Sequence, residues 1–241
     1  MIAAARARAR LGAFCAAGLL ALILGLIGTA CADDAEARRA RTTANRIEAT
    51  WPLAGSGPIA TYVRKLGARL GEKAGPTPYP WRFVVVRDRA ANAFAIGGGR
   101  IYVNEGVVTF CENEAEVAAI LAHEMAHQRA GHFRAAPAST GRDEANPRID
   151  LGAVTQEIDP AKELEADRLA LTILANAGYD PHAALSLALR QQTRDAGAAP
   201  HLQDPSRIDS LRAALAGVPV QGQLDSETFR ALRQKQLQPV S

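Results

Sequence analysis

The chain is short of several things. Aromatic residues make up only 5% of its 241 positions, and no basic stripe interleaves with them. A nucleic-acid partner would need such a stripe or a stacking platform, so none is expected. Cysteine is scarce too. Cys15 and Cys31 lie in or at the end of an N-terminal apolar segment, which leaves Cys111 as the only thiol of the folded part and excludes an internal disulfide there. Acidic residues are absent from the first 30 positions, where Arg6, Arg8 and Arg10 stand. Setting those three aside reduces 28 basic residues to 25, against 25 acidic ones, so the formal charge of +3 belongs to the N-terminus and the remainder is neutral.

That N-terminus, residues 1–32, reads as a targeting segment: a positive start, then apolar residues from Leu11 to Ala30. Three fates are open. Ala30-Cys31-Ala32 fits cleavage after Ala32, Gly28-Thr29-Ala30-Cys31 resembles a lipobox that would leave a lipid on Cys31, and twenty apolar residues suffice for an uncleaved membrane anchor. Each predicts an exported, periplasmic protein, and two of them a membrane-tethered one. Residues 33–56 read as a solvated helix or linker, 57–217 as the functional domain, and 218–241 as a C-terminal helix and tail.

The chemistry is concentrated in Ile120-Leu121-Ala122-His123-Glu124-Met125-Ala126-His127. Residues four apart on a helix lie one above the other, so both imidazoles can reach one point. Two such nitrogens suit zinc, and a third protein ligand would leave one position open for water. Glu124 sits off that axis, placed to take a proton rather than to ligate; this is the H-E-x-x-H zinc-hydrolase pattern. A helix is expected here: Asn113 can cap it, Glu116 supports the cap from the third helical position, and Gly131 can end it. His132 falls five positions after His127, off the metal face of a straight helix. Phe133 occupies the place where metzincins carry their third histidine, which excludes that class.

A second helix is predicted from Glu163 to about Ala177. Glu163 and Asp167 share one of its faces, while Glu165 points away. Glu163 can complete a His, His, Glu site and Asp167 can orient an imidazole, although from spacing alone a solvated acidic first turn favoured by the helix dipole is the better reading. Upstream, Asn92–Ile96 and Arg100–Val103 look like two short strands joined through Gly97-Gly98-Gly99. Arg100, Ile101, Tyr102 and Val103 are expected to form a sheet edge beside the metal helix, where an extended peptide substrate could pair, and an ordinary hairpin without that role reads equally well. Further helices are expected from Asp180-Pro181 to Leu189, from Asp204-Pro205 and over Leu224–Leu237.

Taken together, Asn92-Ala93-Phe94, the glycine turn, Ile101-Tyr102-Val103, the His123–His127 helix, the Glu163-x-x-x-Asp167 pair, Gly178-Tyr179-Asp180-Pro181 and His201 with Arg207 resemble the gluzincin metallopeptidase family of HtpX, BepA, the mitochondrial Oma-type proteases and the CAAX prenyl endopeptidase. The resemblance covers roughly residues 55–215. It implies an α+β, mostly helical zincin-like fold with a small sheet, one zinc ion held by His123, His127 and Glu163, and Glu124 as general base. His201 becomes a catalytic candidate for stabilising an oxyanion, or alternatively a cap on the open metal position. Ile96 stands where many members carry proline before the glycines, and the polar 133–160 stretch replaces a hydrophobic helix common between the two motifs. The implied activity is a zinc-dependent endopeptidase of the cell envelope acting on misfolded or unassembled polypeptides. The rival is a zinc-stabilised chaperone or assembly factor. A purely structural zinc site would require a fourth protein ligand, for which His201 is available.

Overall fold

The computed structural model describes residues 34–134, 159–193 and 205–238. The chain opens with α1 (34–50), followed by α2 (Pro58–Lys73), β1 (Arg82–Val86), β2 (Ala93–Ala95), β3 (Arg100–Asn104), the short α3 (Gly106–Phe110) and α4 (Glu114–Arg129). Later come α5 (Pro160–Asn176), α6 (His182–Thr193), α7 (Pro205–Leu215) and α8 (Glu227–Leu237). The α+β, mostly helical architecture expected from the sequence is present.

The sheet has the order β1-β3-β2, with β1 parallel and β2 antiparallel to β3. This corrects one expectation. The strand carrying Arg100, Ile101, Tyr102 and Val103 is central, paired on both sides, and cannot offer its main chain to a peptide. The physical sign was in the residues: an unbroken Ile-Tyr-Val run marks a strand buried on both faces, and Ile101 and Tyr102 are wholly buried. Residues 52–54 cover the outer edge of β1, through Ala54 N to Val85 O (2.8 Å) and Arg87 N to Pro52 O (2.7 Å). The edge beside α4 is β2.

Alternation along the strands divides the core into two layers. Phe83, Val85, Ala93, Ala95, Ile101 and Val103 point into the main core with α2 and α4. Val86, Phe94 and Tyr102 point the other way and gather around Ile47 of α1. Helix α1 is therefore packed on the sheet rather than solvated; Ala40, Ala44 and Ile47 are its buried stripe. Helix α2 starts with Pro58 at its first position, where a missing N–H costs nothing. It buries Ile59, Tyr62, Val63, Leu66 and Leu70 at helical spacing. Gly67 on the same face is required, since a Cβ there would lie 2.4 Å from the Phe83 ring.

Helix α4 is the centre of the molecule. It is buried all round instead of along one stripe, with only Ile120 and Arg129 of its residues not fully covered. Asn113 caps it by accepting from Glu116 N at 3.0 Å, and the Glu116 carboxylate accepts from Glu112 N at 2.7 Å. Alanines line its packing against α5: Ala118, Ala122 and Ala126 on one helix, Ala166 and Ala170 on the other, all buried. Small residues along both helices allow a close approach, which brings the polar side chains between the two helices within reach of one another. A smaller cluster of Leu171, Ala188, Ile208, Leu211 and Leu215 ties α5, α6 and α7 together. At the other end Phe229 of α8 is wholly buried in the main core, so the C-terminal helix is part of the same packing unit. Among the described residues no helix is long and apolar enough to cross a membrane.

Candidate metal centre

A helix that buries six polar side chains must satisfy each of them. At its N-terminal end Glu114 accepts from Arg69 (2.8 Å), Tyr179 (2.6 Å), Gln223 (3.3 Å) and Ser226. Glu116 meets Arg190 at 2.6 Å. At the other end Gln128 accepts from Gly99 N at 3.0 Å and donates to Glu36 of α1 at 2.7 Å. Glu36 also accepts from Gly98 N at 2.9 Å, so α1 grips the triple-glycine turn, whose three residues all have positive φ. Glu124 accepts from Ala95 N of β2 at 2.9 Å.

The two remaining side chains, His123 and His127, turn toward α5. Their Nε2 atoms are 3.1 Å apart, and each lies 3.2 Å from one oxygen of Glu163. Helix α5 begins earlier than its sequence pattern suggested, because Asp159 caps it by accepting from Ala161 N (2.9 Å) and Pro160 takes the first position. Glu163 thus stands in the first turn and only 3% exposed. Both its oxygens are buried outside hydrogen-bond geometry with any donor, which is true of no other carboxylate among the described residues. Behind His123, Asp167 Oδ1 lies 3.0 Å from Nδ1. Asp167 is clamped in turn by Arg207 of α7 through Nε (2.8 Å) and Nη2 (2.6 Å). Behind His127, the Nδ1 atom lies 2.9 Å from Nδ1 of His132, whose Nε2 lies 3.3 Å from Glu165.

The electrostatics ask for a positive charge. Burial acts against protonating His123, yet the neighbouring carboxylates of Asp167 and Glu163 outweigh it and raise its pKa to about 9. Burial would also raise Glu163, but the two imidazoles hold it well below the usual carboxylate range. Asp167 is kept down at about 2 against burial by Arg207 and His123. His127 and His132 are lowered, chiefly by burial, which disfavours the charged imidazole. Glu124 is pushed up to about 7 by burial, with His123 opposing the shift and the charge of Glu163 adding to it.

His123, His127 and Glu163 form the one cluster among the described residues able to hold a metal ion. Tetrahedral ligands about 2.0–2.1 Å from zinc stand about 3.3 Å apart. The separations of 3.1–3.2 Å fit that figure without rearrangement, and a nitrogen, nitrogen, oxygen donor set suits zinc. Of the other expected residues, Glu124 and Asp167 are at the cluster, Arg100 to Val103 are in the sheet interior, and His201 lies outside the described residues, as does most of the 133–160 stretch. Two partners were missed by sequence reading. Arg207 had no assigned role, and His132 was set aside by its five-residue offset.

Residues 59–143 match the profile of Peptidase family M48. The mitochondrial metalloendopeptidase OMA1 of Schizosaccharomyces pombe is 32% identical over 145 residues, covering 54% of this chain and 43% of that protein. The beta-barrel assembly-enhancing protease of Escherichia coli K12 is 24% identical over 163 residues, 57% of this chain and 34% of the relative. OMA1 of Saccharomyces cerevisiae is 29% identical over 123 residues, 44% and 36% respectively. The chain spans less than half the length of each of these curated relatives. The matches agree with the family resemblance carried by the two helical motifs.

Proposed function

Because residues 59–143 match the profile of Peptidase family M48, we propose that the chain is a zinc-dependent endopeptidase with His123, His127 and Glu163 as the metal ligands. The observation that carries this reading is the Glu163 carboxylate, buried among two imidazole nitrogens and supplied with no donor. When bound there, zinc would supply Lewis acidity, acidifying a water and polarising the scissile carbonyl. The chain's own residues do the rest. Glu124, with a pKa near 7 and one oxygen held by Ala95 N–H, takes the water proton and returns it to the leaving amine. Asp167 holds the His123 ring in place and is itself fixed by Arg207. The substrate is a polypeptide, laid in extended form along β2, the strand whose main chain already reaches Glu124. The N-terminal segment exports the protein to the cell envelope and tethers it there, as an anchor or through Cys31. The name of the Escherichia coli relative links that protein to beta-barrel assembly, and misfolded or unassembled polypeptides are the substrate class of this reading.

A chaperone would need an exposed peptide-binding edge, and the strand from Arg100 to Val103 expected to supply it is central. An unfolded test protein incubated with the purified chain separates the two. Cleavage is expected, stopped by a chelator and restored by zinc, while Glu124→Gln keeps its zinc and is inactive. Cleavage that persists in Glu124→Gln would overturn the mechanism.

A further inference from the structure

His132 should not be able to reach His127. Five residues along a helix is about 500°, which points the later side chain some 140° away from the earlier one. The chain solves this by stopping. Gly131 takes a left-handed conformation (φ 73°). The amide of Gly131 then bonds to Gln128 O and that of His132 to His127 O, both at 3.1 Å. This pair of bonds is the Schellman helix ending. Its geometry places the second residue past the helix against the third residue from the helix end, a contact usually made by two apolar side chains. Here those two positions are His132 and His127. Their rings meet edge-on, with centroids 5.0 Å apart and the Nδ1 atoms 2.9 Å apart. Glu165, on the solvent side of α5, faces the far nitrogen of His132.

We infer that His132 is a positioning residue for the metal centre. Two Nδ1 atoms 2.9 Å apart face each other with room for one proton between them. If His127 donates, its Nε2 carries a lone pair toward Glu163 and His123, and His132 carries its own proton on Nε2 toward Glu165. The opposite assignment would put a proton on His127 Nε2, inside the ligand cluster, and leave His132 Nε2 without a proton facing a carboxylate. Glu165 therefore selects the tautomer of His132, and His132 selects that of His127. The Gly131-His132 pair makes a helix stop and a metal-orienting contact out of the same two residues.

The inference rests on the zinc reading above, and one titration distinguishes the two. Zinc affinity is measured by competition with a chromophoric chelator on the full chain, alongside melting of the metal-free proteins. His132→Phe retains a ring to pack on His127 but accepts no proton, and zinc affinity is expected to fall about 10–100-fold. His132→Asn puts an oxygen where Nδ1 was and is expected to restore most of the loss. A phenylalanine variant that binds zinc as the parent does, or an asparagine variant no better than phenylalanine, would overturn the positioning role while leaving the zinc site standing. Failure of the parent to bind zinc would remove both. If the phenylalanine variant does not fold, His132→Ala replaces it in the comparison with asparagine, with the same outcomes.

Discussion

Glu114 and Glu163 stand in equivalent places: each is in the first turn of a long helix, and they are 2% and 3% exposed. Burial alone does not separate them. Around Glu114 the chain has assembled donors from α2, from the Tyr179 turn and from the segment leading into α8. Around Glu163 it has assembled two imidazoles with their other nitrogens already engaged, and no donor. The first carboxylate is complete within the protein and holds three parts of the fold together. The second is complete only with a cation. What marks a functional site here is the sign of the neighbours, not the depth.

Exchanging each carboxylate for alanine tests that contrast most severely. Glu163→Ala should lose zinc binding and all chelator-sensitive cleavage, because two imidazoles alone hold the ion poorly. Glu114→Ala should do the reverse. Losing the acceptor strands Tyr179, Ser226 and Gln223, which costs about 1–3 kcal/mol in denaturant unfolding, while zinc affinity of the folded protein is retained.

A gentler version uses pH. Burial would raise the Glu114 pKa, but the hydrogen bonds from Ser226, Tyr179 and Arg69 prevail and lower it. A carboxylate depressed in the folded state contributes stability above its unfolded pKa of about 4.3 and loses it as pH falls through the folded value. The parent should therefore lose stability on acidification below that point more steeply than Glu114→Gln, as urea midpoints across the acid range would show. The smallest effect is expected at Glu36. Glu36→Ala releases Gly98 N and the Gln128 amide, and should lower stability by about 1 kcal/mol without changing zinc affinity.

The sequence made local chemistry legible. Asn113, Glu116 and Gly131 announced α4, and Glu163 with Asp167 announced the face of α5, because caps and i, i+4 pairs act within a few residues. Interactions that close over long separations were not legible. Glu36 finds partners 62 and 92 residues away, so α1 read as solvated. Strand order depends on β3 inserting between β1 and β2, and a hairpin pattern shows only the β2–β3 half of that pairing. The hydrophobic run in β3 did carry the information that it was central. Arg207 reaches Asp167 across 40 residues by helix packing that no spacing rule contains. His132 was local but counted on a straight helix; the rotation ends at Gly131, and the histidine's position follows from the stop rather than from the period.

The central claim is that Glu163 belongs to a cation held jointly by α4 and α5. Anomalous diffraction at the zinc absorption edge, from crystals grown with stoichiometric zinc, tests it directly. One peak is expected about 2.0–2.1 Å from His123 Nε2, His127 Nε2 and a Glu163 oxygen. A peak elsewhere, or a Glu163 carboxylate turned away from both imidazoles with zinc present, would contradict it.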